Sequence, residues 1–127
     1  MIKVLVVEDS LTARELLVGM LESDPGIQVV GRAGDGRSAI TWLDKADYQV
    51  NLITMDIHMP IMDGLEATRL IMETRPVPIV MVTSAWRPAE VALTFKAMEA
   101  GALSIIEKPV GPNSPAYADQ ERRKPDY

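Results

Sequence analysis

Four apolar runs in this 127-residue chain end in residues with chemistry to offer. Residues 2–7 lead into Glu8-Asp9, residues 50–55 into Asp56, residues 79–82 into Thr83-Ser84, and residues 102–106 towards Lys108-Pro109. If those runs are strands of one parallel sheet, they deliver three carboxylates, a hydroxyl and an ammonium group to a single edge, where ligands of open α/β sheets bind. Converging carboxylates raise one another's pKa unless a cation shares the site. With oxygen ligands and no cysteine, that cation is Mg²⁺ rather than zinc. Asp56 is then placed as a nucleophile for a phosphoryl group, Lys108 as a compact charge for one phosphoryl oxygen and Thr83 as a hydrogen-bond donor to another. Phosphoryl transfer is mostly positioning and charge neutralisation, so such a set is sufficient.

The elements that must position these groups follow from the spacing of apolar residues. Residues 2–7 are β-branched and almost wholly apolar, which suits a strand covered on both faces. Ser10 can cap a helix carrying Leu11, Ala13, Leu16, Leu17, Met20 and Leu21, and Asp24-Pro25-Gly26 stops it. A short second strand is expected over 27–30, then a loop at 31–36 and a helix capped by Asp35 with Ala39, Ile40 and Leu43 inward. The central strand covers 49–55. After the Pro60 turn, a helix over about 65–73 turns Ala67, Leu70 and Ile71 to the core. The prolines at 76 and 78 feed a strand at 79–82. Pro88 suits a first helical position, Val91, Phe95 and Met98 form one face, Gly101 ends that helix, and 102–106 is a fifth strand. Alternation of strand and helix predicts βαβ units and a doubly wound α/β fold with a parallel sheet.

The residues after 110 break this pattern. Gly111 to Pro115 is breaker-rich, and 116–127 is polar with little apolar periodicity, so the chain divides into a domain over 1–110 and a C-terminal tail or linker over 111–127. A fifth helix, atypical or missing, would leave one sheet face short of cover, and a partner, a second copy or further chain is expected there.

Bulk properties narrow the class. A chain this long, 47% hydrophobic, can bury a core as one domain. No apolar run reaches a membrane span, the start at Met1 shows no signal-peptide pattern, and a cytoplasmic location is expected. The net charge of −5 weighs against a nucleic-acid partner, and Arg122-Arg123-Lys124 is offset by Asp119, Glu121 and Asp126. The glycines of 31–36 are in the wrong order for a dinucleotide fingerprint. Trp42 and Trp86 suit either the core edge or a contact surface.

Glu8-Asp9, the Met-Asp-x-x-Met-Pro-x-Met-Asp-Gly string at 55–64, Thr83-Ser84 and Lys108-Pro109 resemble the receiver domain of bacterial two-component response regulators. The resemblance implies a flavodoxin-like sheet of five strands in the order 2-1-3-4-5. It implies Mg²⁺ held by Glu8, Asp9, Asp56 and the main-chain oxygen of His58, and transfer to Asp56 from a sensor histidine kinase or phosphotransfer protein. Thr83 and Lys108 would sense the phosphoryl group, with His58 and Ala85 tuning its hydrolysis. Residues 65–69 and 76–82 look most like the receiver of chemotaxis methylesterases, in which the receiver restrains a following hydrolase domain. Ile105 stands where the family often has an aromatic switch residue. The reading is therefore a signalling switch, not an enzyme acting on other molecules, with a downstream effector as partner and a homodimer as one route to covering the bare face. Two rivals are a Mg²⁺ phosphohydrolase, against which His58 stands where a second acid is wanted, and an interaction module with a vestigial pocket.

Overall fold

A computed structural model describes residues 1–83 and 88–109. The expectations for Ser84, Ala85, Trp86 and the 111–127 tail fall outside these residues. Five strands, β1 (Ile2–Val7), β2 (Ile27–Ala33), β3 (Leu52–Asp56), β4 (Ile79–Thr83) and β5 (Ser104–Glu107), alternate with four helices, α1 (Leu11–Glu22), α2 (Gly36–Lys45), α3 (Gly64–Thr74) and α4 (Pro88–Ala100). All four strand pairings are parallel, and the sheet order is β2-β1-β3-β4-β5.

Side chains alternate across the sheet and build two layers. Leu5, Val7, Ile53, Met55, Ile79 and Met81 pack beneath α2, α3 and α4 with Ala39, Leu43, Ala67 and Ile71. Val4, Val6 and Val82 face the other way, onto Leu17 and Val18 of α1. Each such fully buried aliphatic side chain contributes about 1.5–3 kcal/mol. Among the described residues the α1 side holds the smaller cluster, and Leu103 and Ile106 are 63% and 40% exposed.

Ser10 and Asp35 cap α1 and α2 as expected, and Asp63 caps α3 in the same way. Ser10, Asp35 and Asp63 accept from the backbone N–H groups of Ala13, Ser38 and Glu66, satisfying donors that have no partner inside the helix. At the opposite edge Arg75 pairs with Asp47 at 2.8 Å and lies over the Tyr48 ring, tying the α2–β3 connection to the end of α3.

Three expectations need correction. The second strand does not stop at Val30: it continues through Gly31, Arg32 and Ala33, with a register shift opposite Val4/Leu5. Gly31 there is no loop signal, because a Cβ at this position would lie 2.3 Å from Trp42 and the indole lies directly on the strand. In α1 the buried pair is Leu17 and Val18, whereas Leu11 and Met20 are exposed. In α4 Phe95 and Met98 face solvent and Ala97 is buried, since a methyl side chain lets the helix approach the core closely.

Candidate functional site

Asp56 is the last residue of β3, at the carboxyl edge of the sheet. Glu8 follows the last residue of β1, in the adjacent strand. Backbone pairing alone therefore sets the two side by side, and Asp9 follows in the turn to α1. One carboxylate oxygen from each of Glu8, Asp9 and Asp56 lies within 4.8 Å of the others. Glu8 and Asp56 are buried, while Asp9 is exposed at the rim.

Lys108 comes in from the far side. Its backbone N–H donates to the Thr83 carbonyl at 2.6 Å, continuing the β4–β5 pairing by one residue. Its Nζ stands 2.9 Å from Glu8 Oε1 and 3.5 Å from Asp56 Oδ2. Thr83 is buried at the end of β4. The strand ends thus bring together Glu8, Asp9, Asp56, Thr83 and Lys108, all five positions singled out from the sequence.

The electrostatics follow from burial and crowding. Asp56 is pushed up to about 8, first by burial and then by the Glu8 charge, with Lys108 pulling the other way. Burial also pushes Asp9 up, but hydrogen bonds with Asp56 and Glu8 and the Lys108 charge outweigh it and leave Asp9 below its ordinary value. The two shifts run in opposite directions because the crowded carboxylates act on each other: Asp56 is raised and Asp9 is lowered. Lys108 is raised: burial alone would lower it, and its bond to Glu8 with the charges of Asp56 and Glu8 prevails.

The donor set fits a hard divalent cation. It is all oxygen, it carries more negative than positive charge, and Asp56 Oδ2 is buried without a hydrogen-bond partner among the described residues. The main-chain oxygen of His58 belongs to the turn leaving Asp56, and the His58 side chain is exposed. Ile105 is half-buried and packs against the main core beside Met81.

Several residues that shape the site were not read from the sequence. An ideal Cβ on Gly64 would sit 2.0 Å from the carbonyl oxygen of Asp56, and the Gly64 N–H donates to Ile57 O at 2.9 Å, so the start of α3 rests directly on the acid's own peptide. Gly36 donates to Met62 O at 2.9 Å, and a Cβ there would meet that same oxygen at 2.8 Å. Ser10 N–H holds Glu8 Oε2 at 2.9 Å, and Arg14 Nη1 donates to Glu8 O at 3.3 Å. Asp63-Gly64 was visible as the end of the 55–64 string, ahead of a helix; that Gly64 must lack a side chain because of Asp56 is a tertiary fact.

A doubly wound parallel sheet of order β2-β1-β3-β4-β5 whose carboxyl edge gathers acids, a threonine and a lysine defines a flavodoxin-like domain with an acidic site. Residues 4–115 match the response regulator receiver domain, and the chain belongs to that family. It is 50% identical over 123 residues to a protein-glutamate methylesterase/protein-glutamine glutaminase of Nitrosospira multiformis, covering 97% of this chain and 34% of that protein. With a relative of the same description from Anaeromyxobacter dehalogenans it shares 51% identity over 123 residues, 97% of this chain and 35% of the relative. The chain thus spans about a third of the length of these relatives. Among solved structures, the response regulator domain of Thermotoga maritima CheB superposes with a TM-score of 0.79 at 38% identity, over 94% of this chain and 87% of that one. A chain of the CheX–CheY–BeF3–Mg complex of Borrelia burgdorferi gives a TM-score of 0.76 at 26% identity, over 96% of this chain and 85% of that one. The chain is a receiver of two-component signalling, most like those of the chemotaxis methylesterases.

Proposed function

We propose that Asp56 is the phosphoacceptor and that Glu8, Asp9, Asp56 and the main-chain oxygen of His58 hold Mg²⁺ beside it. The observation that carries this reading is the convergence of one carboxylate oxygen from each of three acids, all within 4.8 Å of one another, together with a buried Asp56 Oδ2 that, among the described residues, makes no hydrogen bond and has only the Lys108 ammonium 3.5 Å away. Bound there, the cation supplies neutralisation of phosphoryl charge as it builds. The chain's own residues do the rest. Ionised Asp56 attacks phosphorus, an O–P bond forms, and the bond from phosphorus to the donor breaks. For a phosphohistidine donor the leaving imidazole keeps the electron pair and takes up a proton. Lys108, already between Glu8 and Asp56, moves its charge to a phosphoryl oxygen, and the Thr83 hydroxyl donates to another. Water then attacks phosphorus, releasing inorganic phosphate and restoring the carboxylate. The exposed His58 side chain tunes the rate of that step, a role the family likeness also gives to Ala85, and Ile105 replaces the usual aromatic reporter.

The phosphodonor is a sensor histidine kinase or phosphotransfer protein, and the output passes to an effector; for the methylesterase-like reading, that effector is a hydrolase domain in the same protein. The activity of the receiver itself is confined to gaining and losing its own phosphoryl group, in a cytoplasmic setting. Borohydride reduction after incubation with Mg²⁺ and acetyl phosphate tests the assignment. An acyl phosphate on Asp56 is converted to homoserine at position 56, and recovery of unmodified Asp56 under all donor conditions would remove the proposal.

A further inference from the structure

We propose that Arg14 is a positioning residue for the cation site, holding the main chain of Glu8 so that its carboxylate meets those of Asp9 and Asp56. The inference rests on the reading of that cluster as a Mg²⁺ site. Arg14 is in the first turns of α1, and its side chain folds back over the helix start to donate from Nη1 to the Glu8 carbonyl at 3.3 Å. Two features of this placement are unfavourable. The N-terminus of a helix carries partial positive charge, which opposes a guanidinium there, and the acids that offset it, Glu8 and Asp9, lie in the turn before the helix, none being in its first turn. Arg14 Nε is buried and has no hydrogen-bond partner among the described residues, and a buried donor without an acceptor is costly. An apolar side chain would cover the helix start without either penalty.

What an apolar side chain could not supply is the contact with the end of β1. Glu8 is held on every side: its N–H donates to Ala33 O at 2.9 Å, its carbonyl accepts from Arg14, Oε2 accepts from Ser10 N–H at 2.9 Å, and Oε1 faces Lys108 Nζ at 2.9 Å. The Lys108 contact is lost when its ammonium group turns to a phosphoryl oxygen. Arg14 then remains as a cation on the acidic turn that does not compete for the carboxylate oxygens, because it binds the carbonyl instead. Its Nη1 also stands near the β2–α2 loop, since a Cβ added to Gly34 would lie 3.7 Å from it.

Partners that orient metal ligands typically change affinity about 10–100-fold when removed. Calorimetric titration of Mg²⁺ into Arg14→Gln should show affinity weakened by about tenfold, the low end of that range, because Arg14 acts through the main chain. Arg14→Lys, which keeps a cation and one donor, should stay within roughly twofold of the wild type. Melting temperatures in EDTA separate positioning from stability. Arg32→Met removes a surface pair with Glu15 between β2 and α1 and serves as a control that should leave Mg²⁺ affinity unchanged. Arg14→Gln binding Mg²⁺ within twofold of the wild type would overturn the inference, as would an equal loss in Arg14→Lys. Failure of the wild-type protein to bind Mg²⁺ would instead overturn the metal reading, and this inference with it.

Discussion

Lys108 reaches past Asp56 to Glu8: its Nζ is 2.9 Å from Glu8 Oε1 and 3.5 Å from Asp56 Oδ2. The lysine occupies the electrostatic place that a divalent cation would share, and it is the counter-charge that keeps two buried acids tolerable. Removing one partner of a buried pair leaves the other uncompensated. Lys108→Met should therefore destabilise the metal-free protein by about 2 kcal/mol, below the range for fully buried pairs because the lysine is partly exposed. Mg²⁺ should bind this variant at least as tightly as the wild type, since a competing cation is gone. Urea unfolding in EDTA and in Mg²⁺ measures both effects.

The pH dependence of the metal-free protein follows from Asp56. Its pKa is raised from 3.8 to about 8, so between those values the folded state holds a proton that the unfolded state has released. The stabilisation linked to that proton is complete below about pH 4 and is lost as pH rises through about 8. Asp56→Asn should flatten this dependence and raise the melting temperature in EDTA more at pH 8 than at pH 5. Mg²⁺ binding near neutral pH must also displace the proton, so affinity should rise with pH up to about 8. Calorimetry in two buffers of different ionisation enthalpy reads the released proton.

Gly64 should be among the positions least tolerant of a methyl group. Its Cβ would overlap the Asp56 carbonyl, which is backbone and cannot swing aside. Gly64→Ala is expected to cost about 2–3 kcal/mol in urea unfolding and to weaken Mg²⁺ binding by moving Asp56.

Ile61 presents the opposite case. It is a β-branched residue at φ +68, 82% exposed, at the centre of a tight turn closed by Met62 N–H to Pro60 O at 2.7 Å. A γ-turn at positive φ is strained for an ordinary L-residue, whereas glycine adopts positive φ freely. Ile61→Gly should raise stability by about 0.5–1 kcal/mol, read as a higher melting temperature, since relief of the strain exceeds glycine's entropic cost and so exposed a side chain forfeits little packing.

These cases show where legibility ended. The strand ends could be read because each apolar run stops at a polar residue, and parallel strands carry such stops to one edge. That logic placed Glu8, Asp9, Asp56, Thr83 and Lys108 without any contact being known. It failed in α4, where alanines, Leu93, Val91, Phe95 and Met98 put apolar residues on most sides of the helix, so periodicity did not select the face that turned out to hold Ala97. It also failed at Gly31, which looked like a loop residue until Trp42 was seen lying on it. Arg14 and Gly64 matter through the backbone atoms of Glu8 and Asp56, and no spacing rule in the sequence expresses a contact of that kind.

Mass spectrometry of the intact protein after incubation with Mg²⁺ and acetyl phosphate tests the central claim most directly. The account predicts one added phosphoryl group, dependent on Mg²⁺, absent in Asp56→Asn and reduced in Glu8→Gln. An adduct that persists in Asp56→Asn, or no adduct on the wild-type protein under any metal or donor condition, would contradict it.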